Sequence, residues 1–188
     1  MLRIIIVDDE AVIRMGLRAM VTALGHRVVD TAANGDEALE KVKQHRPDLL
    51  LLDIKMPGTD GLTVAEILSR EMPLPIVMLT AYSDRELIER AANAAVMGYL
   101  IKPVQEERLG PALEVAVDRF RQMQATARQV YKLRNQLEAR DVIDAARRIL
   151  VAAGLSEEEA YRRLQATARE KRCSMKDVAE AVIAVGGK

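Results

Sequence analysis

Four consecutive leucines, Leu49 to Leu52, run directly into Asp53 and then into a Met-Pro-Gly turn. An unbroken apolar run bounded by turn residues is typical of a parallel strand that is covered on both faces. In open parallel sheets, ligands bind beyond the carboxyl ends of the strands. We therefore expect Asp53 to lie at the functional edge of a sheet. The alternative is that Asp53 only N-caps the helix that follows.

Short apolar segments alternate with helical patterns five times over residues 1–118. One of these helical patterns is capped by Asp84 and ends near Ala95. The alternation predicts an α/β fold, a doubly wound five-stranded parallel sheet with right-handed crossovers. The strands are expected at residues 2–7, at 28 and 29, in the leucine run, and at 75–80 and 97–101.

Polar side chains stand at the ends of four of these predicted strands. Because parallel strands end at one edge of the sheet, these side chains should converge on one crevice. Clustered carboxylates with no imidazole or thiolate nearby favour Mg²⁺. A nucleophilic carboxylate, a metal site, a hydroxyl and an ammonium are the parts that phosphoryl transfer requires. The side chains are Asp8, Asp9, Asp53, Thr80 and Lys102.

Helical periodicity then continues without interruption from Gln105, and apolar residues recur at roughly heptad spacing as far as Leu137. We expect a coiled-coil helix that ends near residue 140. Its apolar stripe needs a covering surface, and a second copy of the chain is the simplest one, so we expect a homodimer. The alternative is a solvated linker helix.

Three short helical patterns follow Arg140 and predict a small three-helix bundle. Ser156 and Glu159 form the signature of a capping box. A DNA-binding helix-turn-helix is one alternative for this bundle, although a recognition helix that opens with three glutamates would repel phosphates. A protein-interaction output is another. We expect no enzymatic output, because residues 119–188 contain no histidine and a single cysteine.

Charge and composition restrict the remaining possibilities. Residues 1–118 carry 13 Lys and Arg against 19 Asp and Glu, whereas residues 119–188 carry 15 against 9, so the two parts should have different partners. The single Cys173 excludes an intrachain disulfide, and His26 and His45 are expected at the solvated surface. No long apolar segment or charged leader is present, so we expect a cytoplasmic protein without membrane contact.

Residues 1–118 resemble the CheY-like, flavodoxin-like receiver domain of two-component response regulators. The matching motifs begin at Val7, Leu52, Leu79 and Gly98. The resemblance implies a sensor histidine kinase as partner and Asp53 as phosphoacceptor. It implies that Thr80 and Lys102 contact the phosphoryl group. It further implies Mg²⁺ bound by Asp9, Asp53 and the Lys55 backbone carbonyl with Asp8 acting through water, a switch at Tyr99, and a cis Lys102–Pro103 bond.

One further pattern is the spacing of Ala145, Leu150, Ser156, Ala160, Tyr161 and Leu164. It resembles the ANTAR output domain of transcription antitermination regulators, which bind RNA stem-loops. Where that family usually has Lys-Gly, this chain has two arginines. The resemblance implies a receiver over residues 1–118, a coiled-coil linker over 119–140 and an ANTAR bundle over 141–188. The candidate RNA contacts are Arg147, Arg148, Tyr161, Arg162 and Arg163. Tyr161 could instead belong to the core of the bundle.

Overall fold

The computed structural model describes residues 1–81 and 96–186. The helix predicted from Asp84 to Ala95 lies outside the described residues. The chain divides into two compact units, Met1–Gln124 and Ala125–Lys188.

The first unit contains the predicted five-stranded sheet. All neighbouring strands are parallel, and their order is β2-β1-β3-β4-β5. This is the order of the flavodoxin-like doubly wound fold, so the predicted fold class is confirmed. The strands are β1 (Arg3–Val7), β2 (Arg27–Ala32), β3 (Leu49–Asp53), β4 (Ile76–Thr80) and β5 (Val96–Ile101).

Helices cover both faces of the sheet, which explains the leucine run. In β3, Leu50 and Leu52 face one apolar cluster, while Leu49 and Leu51 face the other. All four leucines are fully buried. The first cluster includes residues of α2 and α3, and the second includes residues of α1 and of the first turns of α4. These helices are α1 (Ala11–Ala23), α2 (Gly35–His45), α3 (Gly61–Glu71) and α4 (Glu106–Ala152).

Asp53 is the last residue of β3 and does not cap the next helix. Asp60 is the N-cap of α3, and its side chain accepts a hydrogen bond from the backbone N–H of Thr63. The N-capping alternative for Asp53 is therefore wrong. Asn34 caps α2, because its side chain accepts a hydrogen bond from the Glu37 backbone N–H.

Helix α4 is longer than predicted. It contains 47 residues and continues through residue 140 to Ala152, so the segment from Asp141 to Ala152 is not a separate helix. The reason is local: between Pro111, near the beginning of α4, and Gly154, no glycine or proline interrupts a sequence rich in good helix formers.

The second unit contains α4 from Ala125 onward together with α5 (Glu157–Lys171) and α6 (Met175–Gly186). The predicted capping box at Ser156 and Glu159 is confirmed. The core of this bundle is small, with buried side chains from all three helices. They are Ala146, Leu164, Ala168, Val178 and Ala179.

His26 and His45 were predicted to lie at the solvated surface, but both are half-buried. The Nδ1 atom of His26 accepts a hydrogen bond from the backbone N–H of Leu2 at 3.3 Å. The Nε2 atom of His45 lies 3.1 Å from Asp30 Oδ2. Within the described ranges, no helix has the length and apolar character needed to cross a membrane.

Gly61 allows the backbone after Asp53 to fold back on itself. Its N–H donates to the Ile54 carbonyl at 3.0 Å. A Cβ atom at this position would lie 1.9 Å from the Asp53 carbonyl oxygen, a distance that the backbone cannot accommodate without shifting. A residue without a side chain is therefore required where α3 begins beside the end of β3.

We predict that Gly61→Ala lowers the free energy of unfolding by about 1–3 kcal/mol or more, because the added methyl group overpacks backbone against backbone. Urea unfolding of the full chain, followed by circular dichroism, measures this change. Gly16→Ala is the matched control, since a Cβ there meets nothing within 4 Å and the position lies inside α1. That control should gain about 0.5–1 kcal/mol. Equal stability of Gly61→Ala and the natural chain would contradict the close approach.

Candidate functional site

The carboxyl ends of β1, β3, β4 and β5 are adjacent in the sheet and bring the predicted polar side chains to one edge. Asp8 follows β1 and is 0% exposed. Asp53 ends β3 with 5% exposure, and Thr80 ends β4 with 1%. Among the described residues, these three are the polar or charged ones that are buried. Such burial is costly unless the groups are paired, so their partners define the site.

Lys102, which follows β5, is the cation of this site. Its Nζ atom lies 2.7 Å from Asp53 Oδ2 and 2.7 Å from Asp8 Oδ2. It donates a hydrogen bond to Asp53, whereas its contact with Asp8 is an ion pair without hydrogen-bond alignment. One ammonium group thus compensates two buried carboxylates from different strands.

The surroundings shift the pKa values of this pair. Burial raises the pKa of Asp53, and the nearby Asp8 raises it further, although hydrogen bonding and charge attraction from Lys102 act in the opposite direction. Burial lowers the pKa of Lys102, but its contacts with Asp53 and Asp8 outweigh that effect and raise the pKa overall. Lys102 therefore remains a cation, while the ionised form of Asp53 is disfavoured relative to a carboxylate in water.

An acidic cluster lies beside this pair. Carboxylate oxygens of Asp8, Asp9 and Glu10 all lie within 4.8 Å of one another. Glu10 is the N-cap residue of α1, but its side chain makes no capping hydrogen bond. An all-oxygen donor set of this charge fits Mg²⁺. Glu10 was not among the predicted ligands. Its position directly after two aspartates was the only sequence signal for it.

The remaining predicted receiver residues lie around this edge. The Lys55 backbone N–H hydrogen-bonds the Asp53 carboxylate, which places the Lys55 backbone beside the acid. The Thr80 hydroxyl donates to the Ala81 carbonyl at 3.0 Å. Tyr99 in β5 is half-buried, and burial raises its pKa. The Lys102–Pro103 peptide bond is cis, as expected.

The five predicted RNA contacts in the second unit differ in their charge environment. Arg147 is ion-paired with Asp144 at 3.2 Å and with Glu157 at 3.1 Å. Arg162 is ion-paired with Glu158 on the preceding turn. The other three, Arg148, Tyr161 and Arg163, are exposed, and Tyr161 lies outside the apolar cluster of the bundle. Two of the five predicted contacts are therefore paired with carboxylates, and the other three are exposed to solvent.

Comparison with protein families gives two matches along the chain. Residues 4–114 match the response regulator receiver domain. Residues 131–183 match the ANTAR domain.

Individual relatives agree with this arrangement. The transcriptional regulatory protein PdtaR of Mycobacterium tuberculosis is 41% identical over 182 residues, covering 96% of this chain and 89% of that protein. The receiver domain of a modulated diguanylate cyclase from Desulfovibrio desulfuricans is 32% identical with a TM-score of 0.61, over 65% of this chain and 98% of that one. The receiver domain of the response regulator NarL from Mycobacterium tuberculosis is 30% identical with a TM-score of 0.59, over 62% and 96%.

We predict that Asp53→Asn stabilises the metal-free protein, and that the gain depends on pH. Because the folded pKa of Asp53 is raised, its contribution to stability is complete below the unfolded value near 3.8 and is lost as pH rises through the folded value. The stability difference between variant and natural chain should therefore grow over that window and then level off. Urea unfolding in EDTA at a series of pH values measures it.

The matched control is Asp118→Asn, because Asp118 is exposed at the surface of α4. Its stability difference should stay small across the same pH range. A difference for Asp53→Asn that shrinks with rising pH would contradict the direction of the pKa shift.

Proposed function

This chain belongs to the response regulators that combine a receiver domain with an ANTAR output domain, and from that membership we propose a phosphorylation-controlled RNA-binding protein of transcription antitermination. The observation that carries the proposal is the buried Asp8–Lys102–Asp53 arrangement in a chain whose remaining part matches the ANTAR domain. The proposed limits are a receiver to about residue 118, a helical linker over 119–140 and the output bundle beyond. Neither the receiver nor the ANTAR domain is a known catalytic domain, and we propose that the chain acts in the cytoplasm without an enzymatic output.

Asp53 is the proposed phosphoacceptor. A carboxylate oxygen of Asp53 forms a bond to the phosphorus of a phosphohistidine on a sensor histidine kinase, while the phosphorus–nitrogen bond to the donor breaks. The histidine leaves with the electron pair of the broken bond. Burial supports this role, because a partly desolvated carboxylate with a raised pKa is held less strongly by water. The Lys102 ammonium is positioned to contact a phosphoryl oxygen, and Thr80 supplies a hydroxyl to another.

Mg²⁺ is the proposed cofactor, and the acidic cluster fits it. That cluster contains Asp8, Asp9 and Glu10. In the proposed site, Asp9, Asp53 and the Lys55 carbonyl would hold the ion, with Asp8 acting through water. A bound divalent cation supplies the positive charge that offsets the negative charge of the transferred group. Asp8 would keep Lys102 in place through their ion pair in either state.

Thr80 and Tyr99 are the proposed switch, next to the cis Lys102–Pro103 bond. Thr80 moves toward the phosphoryl group, and the half-buried ring of Tyr99 turns inward. The two strands concerned pair directly, with Thr80 opposite Ile101 and Met78 opposite Tyr99. A local change at the phosphoryl group can thus reach the neighbouring strand through backbone pairing.

RNA stem-loops are the proposed target of the output bundle. The match to the ANTAR domain supports this target, as do the exposed Arg148, Tyr161 and Arg163. The exposed glutamates at the beginning of α5 argue against a DNA recognition helix, because their negative charge would repel DNA phosphates. Glu158 is ion-paired with Arg162, and Glu159 forms the capping box with Ser156, so both are held in the first turns of α5.

A homodimer through α4 is the proposed active state. The apolar stripe of this helix stays largely uncovered, with Val130 59% exposed and Leu137 62% exposed. Met123 and Leu133 on the same helix are exposed as well. Heptad spacing between Val130 and Leu137 favours a helix of the same kind as the covering surface.

Asp53→Ala should abolish phosphorylation. Acetyl phosphate with Mg²⁺ should add one phosphoryl group to the natural chain and none to the variant, as measured by intact mass. Addition of EDTA should prevent the reaction of the natural chain.

Crosslinking in cells, followed by sequencing of the bound nucleic acid, should recover RNA stem-loops with the natural chain and lose them with Asp53→Ala. Phosphorylation of the variant, or recovery of duplex DNA, would contradict the proposal.

Val130→Lys combined with Leu137→Lys should prevent dimerisation, because four ammonium groups, two from each chain, would be buried in the apolar seam without a carboxylate partner. Sedimentation velocity of the full chain with a phosphoryl mimic measures the dimer. Asn135→Lys is the control, since position 135 lies about 140° around the helix from Val130. A natural chain that stays monomeric at high concentration would contradict the dimer.

A further inference from the structure

The output bundle contains a cavity of about 440 Å³ that lies entirely within the second unit. It opens between the end of α4 and the helices α5 and α6. Its walls are mainly aliphatic, and a short series of polar side chains from α5 lies along one side. The aliphatic walls include Ile149, Leu150, Leu164, Val178 and Val182.

The polar side is positively charged. Arg163, Thr167 and Lys171 all line the cavity and follow one another at four-residue spacing, so they form one row on α5. Both cations are exposed, and among the described residues neither has an ion pair with a carboxylate. Asp177 also lines the cavity, and its Oδ2 accepts a hydrogen bond from the backbone N–H of Ser174 at 2.9 Å, which holds this carboxylate at the beginning of α6.

We propose that this cavity receives an unpaired base from the loop of an RNA stem-loop, while Arg163 and Lys171 bind phosphates of the same strand on the two sides of the opening. This proposal rests on the RNA-binding function proposed above and assigns the surface that performs it. It adds Thr167 and Lys171 to Arg163, which is the only one of the candidate contacts that lines the cavity.

Charge and spacing favour this occupant over an aliphatic anion. Eight residues of α-helix place the Cα atoms of Arg163 and Lys171 about 12 Å apart along α5, with the apolar opening beside them. A fatty-acid-like ligand carries one charge at one end, whereas a nucleotide strand carries phosphates on both sides of each base. Specific RNA recognition commonly uses bases that are splayed out of a loop. Thr167 adds a hydroxyl oxygen that can accept a hydrogen bond from a base amino group.

The test uses the full-length chain, phosphorylated with acetyl phosphate and Mg²⁺ and checked by intact mass, together with a synthetic stem-loop recovered by the crosslinking described above. The same stem lacking its loop is the second probe. Ala181→Trp fills the cavity from an exposed position on its rim. It should weaken stem-loop binding about tenfold or more and leave the loopless stem unchanged. Ala184→Trp, at an exposed position on α6 outside the cavity, should leave both unchanged.

The charge row is tested separately, so that a folding defect of the tryptophan variant does not decide the result. Arg163→Ala combined with Lys171→Ala should lower the salt dependence of stem-loop binding by about 0.7 in logarithmic slope for each lost phosphate contact. Arg169→Ala, an exposed cation of α5 outside the cavity, is the control.

The outcomes separate the two proposals. If the natural chain binds the stem-loop and both sets of variants bind it equally well, the cavity is not the RNA site, and the function stands. If the natural chain binds no RNA, the function itself fails. A loss for the loopless stem equal to that for the stem-loop would also overturn insertion of a loop base.

Discussion

A single ammonium group between two buried carboxylates is the interaction on which the first unit depends. Lys102 reaches Asp8 and Asp53 only because β1, β3, β4 and β5 are neighbours and end at the same edge. The carboxylates could not remain charged in this buried position without a cation, and without the carboxylates burial would lower the pKa of Lys102. Strand order, burial and charge are therefore linked, and a change in one is felt by the others.

Much of this unit could be predicted from the sequence because its signals are local and redundant. Continuous apolar runs marked strands buried on both faces, and polar residues after them marked the edge. The end of α4 could not be predicted, since heptad spacing describes which face is apolar and does not state where a helix stops. The absence of a break before Gly154 was the better guide to that boundary.

The ion pairs between side chains of the output bundle could not be predicted from the sequence either. Arg147 and Arg162 looked like equivalent cations, yet one reaches a glutamate on the next helix and the other a glutamate one turn away. Such pairings depend on three-dimensional distance, and composition cannot rank them. Lys171 was overlooked for the opposite reason, because its relation to Arg163 appears only when the row on α5 and the apolar walls are seen together.

The continuity of α4 has a consequence for how the chain can change in length. Each residue of an α-helix advances the side-chain direction by about 100°. One residue inserted between Met123 and Leu137 would turn the later part of the exposed stripe away from the earlier part. Insertions of seven residues would keep the two parts in phase. Insertions and deletions in this stretch of related chains should therefore occur in multiples of seven residues, even where the residues themselves differ.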